Sequence, residues 1–166
     1  GEDKETRNER IDDKFLKLKQ HGYDAADYCI ADTNIDLYSL SETELKEKVK
    51  AYLTQKGYDV KDYGTNSSES VDYPDMVHPL GRDINNGTFE LGIVICGSGN
   101  GVQMTVNKYP NVRCALCWTP EIAGLARQHN NANILSMPAR FISQEVALEI
   151  VDTYLNTEFE GGRHLK

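Results

Sequence analysis

Polar and charged residues fill the first ten positions, GEDKETRNER. The next ten, IDDKFLKLKQ, place Ile11, Phe15, Leu16 and Leu18 at helical spacing before His21-Gly22 stops the run. From there short apolar runs alternate with helical periods. Strands are expected at 24–31, 58–63, 91–96, 112–117 and 133–137, and helices at 42–56, 71–87, 101–108, 119–130 and 142–157. Gly57-Tyr58 closes one helix, and the loop Thr65–Asp75 ends by capping the next. Short apolar strands between helices predict a parallel sheet covered on both faces, a doubly wound α/β sandwich. Ligands in such sheets bind beyond the carboxyl ends of the strands. The turn after Cys96, Trp118-Thr119-Pro120 and Pro138-Ala139-Arg140 all fall at such ends.

A length of 166 residues suits a single domain, 1–166, with no internal repeat. The net charge of −8 argues against a nucleic-acid partner, because a polyanion is repelled. No apolar run approaches the roughly 20 residues that cross a bilayer, so no membrane partner is expected. Cys29, Cys96, Cys114 and Cys117 lie within apolar runs, which favours reduced thiols in the cytoplasm. Cys114-Ala-Leu-Cys117 reads C-x-x-C, but residues three apart in a strand point to opposite faces, so packing is the expected role. His21, His78, His129 and His164 are scattered without metal-ligand spacing, and neither metal nor cofactor is expected.

The chemistry concentrates in Gly92-Ile-Val-Ile-Cys96-Gly-Ser-Gly-Asn-Gly101. Gly97, Gly99 and Gly101 let the backbone approach a ligand, and a helix starting near Gly101 turns free N–H groups toward it. The dinucleotide fingerprint fails because Val102 occupies its last glycine position, and the phosphate-loop motif fails for want of G-K-[ST]. N–H donors around a thiol favour the thiolate, a base or nucleophile, although a buried strand-end cysteine is the commoner fate. His129, in Arg127-Gln-His-Asn-Asn131, can move protons near neutral pH or simply face a helix carboxyl end. Arg140, Arg163 and His164 can together clamp a phosphate.

The stretches GYDVKDYGT (57–65), SVDYP (70–74), GIVICGSGNGVQMTVNK (92–108), RCALCW (113–118), ARQHNNANIL (126–135) and EFEGGRH (158–164) resemble the ribose-5-phosphate isomerase type B and galactose-6-phosphate isomerase family over residues 44–166. The resemblance implies a Rossmann-like three-layer α/β/α sandwich with a five-stranded, mainly parallel sheet. It also implies a homodimer or tetramer with active sites at the subunit interface and no metal. The small-molecule substrate would be a sugar phosphate, interconverted between aldose and ketose through an enediolate. By that resemblance Cys96 is the base, Ser98 and the N–H groups of Gly97, Gly99, Asn100 and Gly101 stabilise the oxyanion, and His129 assists ring opening beside Asn130. Tyr73 lines the sugar site, and Arg140, Arg163 and His164 hold the phosphate. The family's first strand ends in an Asp-His-Ala-Gly motif where this chain has Tyr38-Ser39-Leu40-Ser41-Glu42. Residues 9–43 instead resemble the opening of xylose-isomerase-like sugar-phosphate isomerases and epimerases, which makes 1–43 an atypical N-terminal segment. A relative that binds sugar phosphates without turnover is the alternative expectation.

Overall fold

The structure, a computed structural model, describes residues 41–65 and 71–166. The helix expected at 11–20 and the strand expected at 24–31 lie outside the described residues, as does most of the atypical N-terminal segment. Five α-helices alternate with three strands among the described residues: α1 (Glu42–Gln55), α2 (Tyr73–Asn85), β1 (Gly92–Cys96), α3 (Asn100–Val106), β2 (Cys114–Leu116), α4 (Pro120–Asn130), β3 (Ile134–Pro138) and α5 (Gln144–Asn156). A 3-10 turn, Gly162–Leu165, follows.

Local chemistry sets the helix starts. Ser41 and Glu44 form a reciprocal capping box at α1. Thr119 and Ser143 accept the Ile122 and Val146 N–H groups at the starts of α4 and α5. Asp72 stands at the start of α2 without a side-chain cap; Pro74 in the first turn has already removed one N–H from the set needing a partner.

The sheet is parallel, in the order β1-β3-β2, with Cys96 level with Pro138 and Cys114 level with Ile134. Every residue of the central strand β3 is buried, as a strand covered on both faces must be. Alternation divides its side chains. Leu135 and Met137 pack with α1, α4 and α5 around Leu45, Ala123, Ile150 and Tyr154. Ile134 packs on the other face with Val77 and Ile84 of α2 and Val102 and Val106 of α3. The result is an α/β/α sandwich.

The sheet has three strands among the described residues, not the expected five. Residues 58–63 are not a strand: side chains, rather than a backbone ladder, hold them. Lys46 and Lys50 reach Asp62 at 2.9 and 3.1 Å. Partial burial disfavours the Asp62 carboxylate, but Lys46, the Gly64 N–H and Lys50 outweigh it and hold the group below the usual carboxylate range. Tyr63 and Lys61 both bond Asp83 of α2.

Candidate active site

The Cys96 turn begins where β1 ends. Pairing continues past the strand, with Ala139 N–H donating to Cys96 O at 2.9 Å and Arg140 N–H to Gly97 O at 3.1 Å. The Gly99 N–H points at Cys96 Sγ, 3.1 Å away. A donor at that position stabilises negative charge on sulfur. The thiol is half-buried and unpaired.

Close approach explains the three glycines. Gly99 has φ +74°, and a Cβ there would collide with Leu116. A Cβ on Gly101 would lie 2.7 Å from the Tyr73 ring, and one on Gly97 would lie 2.9 Å from Arg140 Nε. The glycines therefore let Tyr73 and Arg140 close over the turn. Ser98 and Asn100 are exposed on its rim, the Ser98 hydroxyl accepting weakly from the Asn100 N–H at 3.4 Å. A cavity of about 530 Å³ runs along β1 between α1 and α2 and reaches Cys96, Tyr73 and Arg140. Its size suits a small ligand.

Two residues that sequence reasoning did not single out complete this end. Ser136, fully buried in β3, donates its hydroxyl to Gly99 O at 2.7 Å and pins the turn. A polar residue inside an otherwise apolar strand is the signal that points to it. Glu42, in the first turn of α1, pairs with Arg140 at 3.2 Å.

The remaining expected site residues form a second group. The Glu160 N–H donates to Gln128 O at 3.0 Å, laying the C-terminal segment against the end of α4. Gly161 and Gly162, both at positive φ, turn the chain so that His164 returns toward His129. The two imidazoles stack with centroids 4.4 Å apart. Arg163 Nε donates to His164 Nε2 at 3.2 Å. Asn130 is exposed, and its carbonyl accepts from Arg113 at 3.1 Å.

The expected site is thus not one cluster within the chain. Cys96 sits at the carboxyl end of the sheet. His129 lies near the end of α4, which returns the chain to the amino end of β3. At about 3.3 Å per residue, the length of β3 alone separates them by roughly 13 Å. Among the described residues, no hydrogen bond or ion pair links the two groups.

The C-x-x-C pair is packing, as expected. Cys114 belongs to the core layer under α2 and α3, and Cys117 to the layer under α1, α4 and α5. Burial pushes both thiols up, Cys117 to about 12, so neither is poised as a nucleophile. No helix among the described residues is long and apolar enough to cross a membrane.

A Ribose/Galactose Isomerase family model matches residues 39–166. Ribose-5-phosphate isomerase B of Escherichia coli K12 is 40% identical over 120 residues, covering 72% of this chain and 80% of that protein. The crystal structure of a ribose 5-phosphate isomerase from Thermotoga maritima is 51% identical and superposes with a TM-score of 0.73, covering 75% of this chain and 86% of that one. Ribose-5-phosphate isomerase B from Mycoplasma genitalium with bound ribulose-5-phosphate is 39% identical with a TM-score of 0.72, over 75% of this chain and 85% of that one. The chain belongs to the ribose/galactose isomerase family and is an isomerase that interconverts an aldose and a ketose.

Proposed function

We propose that the chain isomerises ribose 5-phosphate, or a related sugar phosphate, with Cys96 as the base. The observation that carries this reading is the Cys96 thiol at the lip of the turn, facing the Gly99 N–H at 3.1 Å. In the open-chain aldose the Cys96 thiolate takes the proton from C2. The electron pair forms the C1–C2 double bond of an enediolate, whose charge falls on the former carbonyl oxygen. The Ser98 hydroxyl and the N–H groups of Gly97, Gly99, Asn100 and Gly101 stabilise that oxygen. Transfer of the O2 hydroxyl proton to O1 moves the charge to O2, and return of the Cys96 proton to C1 as the C2 carbonyl forms then gives the ketose, with no net change in atoms or electrons. His129, beside Asn130, moves the proton that opens the sugar ring.

Tyr73 covers the sugar, and Arg140, Arg163 and His164 hold the phosphate. Because the Cys96 and His129 groups lie at opposite ends of the sheet, a second copy of the chain is needed to bring them together. A homodimer or tetramer with the active site at the subunit interface meets that need, because a twofold axis sets each group of one chain against the other group of its partner. Unpaired Cys96, Cys114 and Cys117 suit a reducing, cytoplasmic setting. The binding-only alternative is not favoured, since the matching relatives bear isomerase names.

NMR of ribose 5-phosphate incubated with the protein tests this reading. Ribulose 5-phosphate is expected to accumulate with the wild type and not with Cys96→Ala. Equal turnover by Cys96→Ala would remove Cys96 from the mechanism. Substrate shifts without product from the wild type would restore the binding-only alternative.

A further inference from the structure

Gly99 makes two hydrogen bonds that point in different directions. Its N–H donates to Cys96 Sγ at 3.1 Å, and its carbonyl accepts from Ser136 Oγ at 2.7 Å. Only the φ and ψ of this one residue, 74° and −12°, relate the two groups. The residue must be glycine, because a Cβ would collide with the Leu116 side chain. Glycine also rotates more freely than any other residue, so it does not hold this conformation by itself.

Ser136 supplies the restraint. It stands on the central strand, level with Val94 of β1 and Leu116 of β2. Its carbonyl accepts the Cys117 N–H at 2.9 Å, and the residue is fully buried. The hydroxyl is therefore mounted on backbone held from both sides. Gly99 O accepts a second bond from the Gln103 N–H, at a longer 3.3 Å. That bond belongs to α3 and moves with it. The Ser136 bond instead ties Gly99 to the sheet that carries Cys96. Packing would be served as well by alanine; the hydroxyl adds the bond to Gly99.

We propose that Ser136 is a positioning residue for the isomerisation. Through Gly99 it keeps an N–H on the Cys96 sulfur and so favours the thiolate that takes the C2 proton. This role rests on the base function given to Cys96 above. Once the thiolate has taken that proton, the charge lies on the enediolate oxygen, and the Gly99 N–H is released to it. The titratable and charged groups facing the turn are Tyr73 from α2, Arg140 from beyond β3 and Glu42 from α1. Lys46 and Asp62 line the same cavity, and α3 carries no charged residue. All of them are left unchanged by substitution at Ser136.

Alkylation of Cys96 by iodoacetamide in the full chain, followed across about pH 6–10 by mass spectrometry of the Cys96 peptide, reads the thiolate without needing turnover. Ser136→Ala is expected to move the midpoint up by about half a pH unit or more. It is expected to lower kcat about threefold or more near neutral pH, with KM little changed because the phosphate-holding groups are untouched. Ser136→Thr and Ser136→Val fill similar space and differ in the hydroxyl, so their comparison separates the hydrogen bond from packing. Threonine is expected to keep the wild-type midpoint and valine to share the shift of alanine. Val151→Ala, which opens a cavity in the α5 layer, is expected to lower the melting temperature and leave the midpoint in place. Equal midpoints in the threonine and valine variants, or an equal shift from Val151→Ala, would overturn the role. An unmoved midpoint in Ser136→Ala, with Cys96→Ala inactive, overturns it too and leaves Cys96 as the base. A shifted midpoint beside full turnover by Cys96→Ala would remove Cys96 from the chemistry, and the part of Ser136 in isomerisation with it.

Discussion

Arg140 carries a partner that its proposed work must displace. Glu42 Oε1 stands 3.2 Å from the guanidinium, and the Arg140 side chain is 69% exposed. An exposed pair of this kind contributes about 0.2–1 kcal/mol. A dianionic phosphate competes well with one carboxylate, but it must first break that pair. Glu42→Gln is therefore expected to lower KM for the sugar phosphate, by up to about fivefold, with kcat little changed. Steady-state kinetics at low ionic strength measures this, since salt weakens the pair by itself. A KM that stays fixed or rises would mean that Glu42 aligns Arg140 rather than competes with substrate. The same scale shows what the sequence makes legible. The glycine turn and Cys96 stand out as residue types in a short span, and Arg140 and Arg163 stand out by following Pro138 and Gly161-Gly162. Glu42 does not, because an acidic residue in a helix's first turn is ordinary. Ser136 escapes notice for the converse reason: one hydroxyl inside an apolar strand has no visible partner until Gly99 is brought beside it.

At the scale of elements, β2 shows how a short strand separates two chemistries of one motif. Its three residues leave Cys114 and Cys117 in different core layers. Burial raises both thiols, Cys117 to about 12, and raises the Tyr154 phenol on the same side. An unfolded thiol ionises near 8.5. Between that pH and the folded value the unfolded chain holds fewer protons, so stability falls as pH rises. Each such group contributes a slope of about 1.4 kcal/mol per pH unit. Melting temperature is expected to decline steadily from about pH 8.5 upward, and Cys117→Ala is expected to show a shallower decline from a lower starting value. A decline in the variant as steep as the wild type's would remove Cys117 as a source of the loss. Most elements are readable because hydrophobic period and capping agree. Ser41, Thr119 and Ser143 all stand where the expected helices begin. Residues 58–63 are the exception. They have the composition of a strand, but a strand also needs a backbone partner. Lys61, Asp62 and Tyr63 instead spend their side chains on α1 and α2. Nothing in a one-dimensional pattern distinguishes an apolar stretch that pairs from one that packs.

For the whole molecule, the decisive fact is direction. Parallel strands joined by helices send each helix back across the sheet, so residues at strand ends and residues at helix ends gather at opposite edges. Cys96 belongs to one edge and His129 to the other. Spacing along the sequence conceals this, and their shared polarity invites placing them together. If catalysis uses both, each active site draws Cys96 from one chain and His129 from another. Subunit mixing tests this without any structure of the assembly. Cys96→Ala and His129→Asn are each expected to lose most activity as purified proteins. Unfolded together at equal concentration and refolded, they form mixed dimers with one site carrying both changes and one carrying neither. In a random mixture of twofold dimers, about half are mixed, so activity is expected to recover to about a quarter of wild type. Native gels or light scattering on the refolded sample establish that dimers have reformed. Recovery near a quarter requires shared sites, because no site confined to one chain can be repaired by its neighbour. A refolded mixture no more active than its inactive parents would confine Cys96 and His129 to separate roles, and the ring-opening step would need another residue at the Cys96 end of the sheet.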